Sequence, residues 1–222
     1  MIRLHITTEG QTEQAFVEKV LAPHLGLCGV HVKARSVLTS RDKRAGKEYR
    51  GGLFSYDKAK RDIQTWIKED DHTECRFSTM FDLYALPNDF PGFANAQTAS
   101  DPYERVKRLE ESMARDINNR RFISYIQLHE FEALILTDPG KLALEYLEHD
   151  TPINNLIAMV SGQNPELIND GETTAPSKRI LKEIPEYNKV TAGVAVAGEI
   201  GIKMLRQQCK HFDDWVTQLE QL

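Results

Sequence analysis

The chain has little cysteine, no long apolar run and no nucleotide-binding glycine loop, and each shortage narrows what it can be. Cys28, Cys75 and Cys209 are far apart and odd in number, and none forms a CxxC pair. That pattern argues against a disulfide framework or a zinc site and for buried free thiols. No stretch approaches the roughly 18 apolar residues of a membrane-spanning helix. The N-terminus shows no basic region followed by an apolar core, so the expected compartment is the cytoplasm. The pattern G-x-x-x-x-G-K-[ST] is missing, so any nucleotide-driven control must come from another protein. Internal repeats, low-complexity tracts and Gly/Ser hinges are missing as well.

What remains is an ordinary globular composition. With 222 residues, 41% hydrophobic and 27% charged, the chain fits one α/β domain carrying an appended subdomain. Its net charge of −5 gives no global reason to expect nucleic acid. The distribution is uneven, however. Residues 33–61 hold ten Lys and Arg against three acids, a local charge of +7. Arg41, Lys43, Arg44, Lys47 and Arg50 lie at its centre, interleaved with Gly46, Tyr49, Gly51 and Gly52. Such a run is either a solvated face or a phosphate-contacting loop.

Hydrophobic periodicity sets the organisation. Alternation at Ile2, Leu4 and Ile6 predicts a first strand, and Phe16, Val17, Val20, Leu21 and Leu25 a helix ending near Gly26. Strands are expected over 30–38, 76–83 and 122–128, with helices over 56–68 and 102–119 between them. A basic loop is expected after residue 38 and a Pro/Gly/Asn-rich loop over 86–93. Strands separated by helices imply βαβ units, hence a largely parallel sheet of about four strands flanked by helices. Beyond Pro139 only helical patterns remain, over 141–147, 152–160, 177–184, 192–208 and 212–222. The division expected is an α/β domain over 1–136 and a helical lid or cap over 137–222.

Acids fall where ligands bind in parallel sheets, beyond the C-terminal ends of the strands. Thr7-Thr8-Glu9-Gly10-Gln11-Thr12-Glu13 sets two carboxylates four residues apart where the first strand turns into a helix. One helical turn carries Glu13 back toward Glu9, so both could face one cation. Equally, Thr8 and Gln11 fit a capping box, and acids in a first turn suit the helix dipole. The third strand delivers Asp82, and the fourth is followed by His129, Glu130 and Glu132. Glu132 flanks the apolar stripe of Phe131, Leu134 and Ile135 and so needs a partner, whereas Glu130 points away and fits a surface residue as well. His129 fits proton transfer, phosphate contact or a structural role. Asp89, in its Pro/Gly loop, fits a turn residue or an approach to the cation. Oxygen ligands without His or Cys spacing suit Mg²⁺ or Mn²⁺.

The strand followed by Thr8-Glu9-Gly10-Gln11-Thr12-Glu13, a helix and a later strand ending in Asp82 resembles the Toprim fold, in its branch of overcoming-lysogenisation-defect nucleases. The strings Phe81-Asp82-Leu83-Tyr84, Asp89-Phe90-Pro91-Gly92, Gln127-Leu128-His129-Glu130-Phe131-Glu132-Ala133-Leu134 and Thr174-Ala175-Pro176-Ser177-Lys178-Arg179-Ile180 resemble a bacterial family of small Toprim-related proteins over nearly the whole chain. The resemblance implies phosphodiester hydrolysis on two metal ions. It matches Glu9 and Glu13 to the paired acids after the first strand, Asp82 to the first acid of an Asp-x-Asp motif, and Glu130-Phe131-Glu132 to an acid-x-acid element. Tyr84 stands in place of the second Asp-x-Asp acid. The basic loop, with Lys178 and Arg179 behind Ser177 as helix N-cap, would hold the nucleic-acid backbone. Relatives resemble companions of ABC- or AAA-type ATPases, which implies such a partner and a role in phage defence. The alternative is a weak or inactive adaptor of the same fold that binds nucleic acid or an ATPase.

Overall fold

The computed structural model describes residues 1–42, 47–50, 53–84, 86–168 and 174–222, and for 38–42 and 47–50 the backbone alone. Strand β1 (Ile2–Thr8) leads into α1 (Gln11–Phe16), which passes through a π-helical turn (Val17–Leu21) into α2 (Ala22–Gly26). There follow β2 (Val30–Ser36), the hairpin of β3 (Leu38–Asp42) and β4 (Lys47–Arg50), α3 (Tyr56–Glu69), β5 (Cys75–Asp82), α4 (Phe93–Ala96) and α5 (Pro102–Ile117). Two short strands, β6 (Phe122–Ile123) and β7 (Ile126–Gln127), precede α6 (Glu132–Ile135). The remainder is helical: a 3-10 turn (Pro139–Leu144), α7 (Asp150–Val160), a second 3-10 turn (Pro165–Leu167), α8 (Pro176–Glu183), a π-helical turn (Lys189–Gly193), α9 (Val194–Gln208) and α10 (Lys210–Glu220).

The five-stranded sheet has the order β2-β1-β5-β6, with β7 also on β5, and every pairing in it is parallel. Its two faces are covered by separate cores, as buried parallel strands require. One face packs Leu4, Ile6 and Met80 against Phe16, Leu21, Val196 and Trp215. The other packs Phe77 and Phe81 against Ile63 of α3 and Leu109 and Met113 of α5. Each such fully buried side chain contributes about 1.5–3 kcal/mol. Residues 194–219 share the first core with β1, so the helical C-terminal part is built onto the sheet. Among the described residues no helix is long and apolar enough to cross a membrane.

Local chemistry explains where the elements start and where expectation fails. Helix α5 begins as its sequence predicts, with the Asp101 carboxylate accepting from Tyr103 N and Pro102 in the first turn. The basic stretch expected as a loop contains instead the antiparallel β3–β4 hairpin, which pairs Arg41 with Glu48 and Asp42 with Lys47. Arg41, Lys47 and Arg50 are thus backbone positions on paired strands, while Lys43 and Arg44 lie outside the described residues. The fourth strand is interrupted because Thr79 Oγ1 inserts into the ladder. It donates to Tyr125 O (2.8 Å) and accepts from Tyr125 N (3.1 Å), replacing one backbone partner. Of the three thiols, Cys75 and Cys209 are buried, whereas Cys28 is exposed in the turn after α2, contrary to expectation.

Asp89 turns out to be a helix cap. Its carboxylate accepts from Tyr56 N (3.0 Å) and Ser55 Oγ (2.9 Å), fixing the start of α3, and these bonds hold its pKa down against partial burial. It therefore does not approach the other acids as a ligand. Asp89→Ala is expected to cost about 1 kcal/mol in urea denaturation, the usual loss for an N-cap.

Candidate metal centre

The C-terminal edge of the sheet gathers carboxylates from three adjacent strands. Glu9 follows β1, Asp82 ends β5, and Glu130 and Glu132 follow β7. His129 has a left-handed backbone (φ 59°) that turns the chain out of β7, and its carbonyl accepts from Tyr84 N (2.8 Å). That bond ties the exits of β5 and β7 together. Glu9 Oε2 accepts from Asp82 N (3.2 Å) and the same carboxylate from the Leu53 backbone amide, so Glu9 spans from β5 to the segment behind the hairpin.

The helix after β1 does not start as a Thr8 cap. Gly10 is the N-cap, in an extended conformation (φ −145°), and donates its N–H to Glu13 Oε2 (2.8 Å), while Thr8 Oγ1 donates to Gly10 O. Glycine leaves room there for close approach and is not required for handedness, since a Cβ would sit a tight 3.2 Å from Glu13 Oε2. Of the two roles its sequence left open for Glu13, the structure shows the cap. One oxygen caps the helix, and the buried carboxylate also lies close enough to Asp82 to raise its pKa.

Burial and mutual repulsion dominate the electrostatics. Burial, then Glu13, pushes Glu9 up to about 7. Burial, then Glu130, pushes Glu132 up to about 7. Burial raises Glu13, and Asp82 is raised well above the usual carboxylate range by burial and by Glu13, Glu9, Glu132 and Glu130 together. Glu132 is 0% exposed, and neither of its oxygens accepts a well-formed hydrogen bond, although the Tyr187 hydroxyl lies alongside. Asp82 Oδ1 is likewise buried without a partner. Buried anions with open lone pairs are costly unless a cation meets them, so this donor set fits a hard divalent ion. The cluster is also loose, with no three of its carboxylates bringing oxygens within 4.8 Å of one another.

Glu130 is not a surface residue. It is buried, and its two oxygens accept from Ser177 N (2.6 Å) and Ser177 Oγ (3.1 Å), docking α8 against the cluster. Ser177 is consequently not an N-cap with free amides. The helix begins at Pro176, Ala175 is the cap, and the Ser177 amide belongs to Glu130. Lys178 is exposed beside it, while Arg179 Nε donates to Thr174 O (2.6 Å).

The helical part supplies four residues that sequence reasoning missed. Lys189 is exposed yet close to the acids. Burial opposes its charge, but Glu132, Asp82, Glu13 and Glu130 outweigh that and raise its pKa. Asn188 fixes it there by accepting from Val190 N and Thr191 N (both 3.1 Å). The available signal was a single lysine heading the otherwise uncharged run 189–198. Tyr187 is buried beside Glu132, and Gly193 makes room for it, because a Cβ there would lie 2.4 Å from the Tyr187 hydroxyl. Gly193→Ala is expected to destabilise the protein by about 1–3 kcal/mol. Urea denaturation should show part of that loss restored in combination with Tyr187→Phe, which removes the clashing oxygen.

A second ligand-rich group lies at the opposite end of the sheet. His5, Asp70 and Cys75 offer ligand atoms within 4.8 Å of one another and could hold a metal. Arg3 already donates to Asp70 (2.7 Å) and to Cys75 Sγ (3.2 Å), and His5 Nε2 lies 2.8 Å from Asp70. A guanidinium thus meets the charge there through direct hydrogen bonds.

The fold and this edge define an α/β protein with a buried acidic centre beyond the ends of its parallel strands. The chain belongs to the family described as a domain of unknown function (DUF4276), whose model matches residues 8–220. It is similar to the C-terminal region of the Burkholderia pseudomallei OLD protein, at 18% identity and a TM-score of 0.42, covering 97% of this chain and 99% of that one. It is also similar to the corresponding region of the Xanthomonas campestris pv. campestris OLD protein, at 16% identity and a TM-score of 0.42, covering 98% of this chain and 95% of that one. Likeness at this level carries no inference about activity. Among curated proteins none matches the sequence.

Proposed function

We propose that this chain is a Toprim-type nuclease that hydrolyses phosphodiester bonds in nucleic acid with Mg²⁺ or Mn²⁺. The observation that carries the reading is the meeting of Glu9, Glu13, Asp82 and Glu132 at one sheet edge, with both Glu132 oxygens and Asp82 Oδ1 buried and without hydrogen-bond partners. Glu9, Asp82 and Glu132 would hold the ion, supported by Glu13 and Glu130. When bound, the metal polarises a phosphoryl oxygen and lowers the pKa of a coordinated water.

The chain's own residues do the rest. Lys189, positively charged over the acids, offsets negative charge on the phosphate. Glu13 keeps the first turn of α1 in place through Gly10 N. Lys178 and Arg179, with Arg41, Lys43, Arg44, Lys47 and Arg50 of the basic stretch, would track the nucleic-acid backbone. In this reading residues 137–222 form a cap that brings Lys189 and Ser177 over the α/β part, residues 1–136. In the same reading a separate ABC- or AAA-type ATPase in the cytoplasm would supply nucleotide control, in keeping with phage defence.

A second reading, an inactive adaptor that binds nucleic acid or an ATPase, draws on Tyr84. An aromatic side chain stands exposed where a further carboxylate was expected. The test is incubation of the purified protein with Mn²⁺ or Mg²⁺ and a panel of single-stranded and duplex RNA and DNA. Cleavage that EDTA stops supports the nuclease. Binding without cleavage supports the adaptor, and neither binding nor cleavage overturns both.

A further inference from the structure

Only two aromatic side chains are strongly exposed among the described residues, Phe54 at 79% and Tyr84 at 44%. Both sit beside the acidic centre. Phe54 follows Leu53, whose amide is held by Glu9, and Tyr84 lies two residues beyond Asp82, whose amide is held by the same carboxylate. With both amides on one carboxylate, the two aromatic Cα atoms are no more than about 20 Å apart. Their backbones are fixed as well. Asp89 clamps Ser55 and Tyr56 next to Phe54, and Tyr84 N donates to His129 O (2.8 Å).

We propose that Phe54 and Tyr84 are stacking surfaces for unpaired nucleobases beside the acidic centre, so that the substrate class is single-stranded nucleic acid. The inference rests on the nuclease reading and names the substrate it leaves open. An exposed ring on a fixed backbone gains little from water and much from a base, because every base has a π-face. In a duplex those faces are covered by neighbouring pairs, so exposed rings beside the acids would discriminate against it. Tyr84 would thus offer a ring at the position where the resemblance led one to expect a carboxylate.

The experiment measures binding of the full chain, with Ca²⁺ replacing Mg²⁺, to three fluorescent oligonucleotides of about twelve nucleotides: oligothymidylate, an abasic strand with the same phosphates, and a duplex. Oligothymidylate is expected to bind about tenfold or more tightly than the abasic strand, as one or two stacked bases would give. The double variant Phe54→Ala, Tyr84→Ala should bring that ratio close to one, and Phe54→Trp, Tyr84→Trp should restore it. Equal binding of both strands by the natural protein, a ratio that survives the alanine variant, or tighter binding of the duplex overturns the inference while leaving the nuclease reading intact. If none of the three binds, the nucleic-acid reading falls with it.

Discussion

Replacing Glu9 and Asp82 together by alanine is expected to lower metal-dependent cleavage by about a thousandfold or more. The magnitude follows from removing two of the three proposed holders of the ion, whose charge stabilisation is worth several kcal/mol, each 1.36 kcal/mol being a factor of ten. Cleavage by the double variant at the natural rate would sink the metal-centre proposal. Because Glu9 also holds the Leu53 and Asp82 amides, this pair could lose activity through disorder alone. Glu132→Gln separates the two causes. Neither Glu132 oxygen makes a well-formed hydrogen bond, and burial with Glu130 already penalises its charge. Its neutral isostere should lose cleavage by at least about a hundredfold, as expected for a metal-site residue. The metal-free variant at pH 8 should be no less stable than the natural protein, as thermal denaturation would show.

Metal binding is expected to tighten about a hundredfold between pH 6 and pH 8. Burial pushes the pKa values of Glu9 and Glu132 up to about 7, so that at pH 6 both are expected to be largely protonated and at pH 8 largely ionised. An ion that needs both carboxylates gains about tenfold from each across that interval. Calorimetry in buffers of different ionisation enthalpy should accordingly register protons released on binding near pH 7, and fewer at pH 8. Affinity independent of pH would show that these two groups do not ligate. The stability of the metal-free protein runs the other way. Carboxyl groups whose folded pKa is raised bind protons more tightly in the folded state, so their contribution is fully present below the unfolded value near 4.5. It is lost as pH rises to about 7, and divalent metal should restore it.

The α/β class, the parallel sheet and the helical C-terminal part were legible because they follow from period and punctuation. Alternation at Ile2, Leu4 and Ile6 gave β1, and Asp101-Pro102 gave the start of α5. Three errors share a physical cause: a side chain took over a backbone's bonding. Asp89 caps a helix thirty-odd residues earlier in the chain, Glu130 takes the Ser177 amide, and Thr79 occupies a rung of the ladder. No local pattern encodes such long-range substitutions. The acids at strand ends could be singled out because sheet topology alone directs them to one edge. Lys189 could not, since it reaches that edge from a helical segment whose docking depends on packing, on Gly193 yielding space to Tyr187 and on Asn188 fixing the turn.

The interruption at Thr79 bears on what mutation can reach. Pairing resumes after it in unchanged register, with Phe77 opposite Phe122 before the break and Asp82 opposite Gln127 after it. The detour therefore consumes as much chain as the strand it replaces. Substitution at Ser124, which lies within the detour, leaves that count intact. Insertion or deletion of one residue there would turn Gln127 and everything following it to the other side of the pleat, carrying Glu130 and Glu132 away from Asp82. At this point the protein should tolerate changes of spelling far better than changes of length.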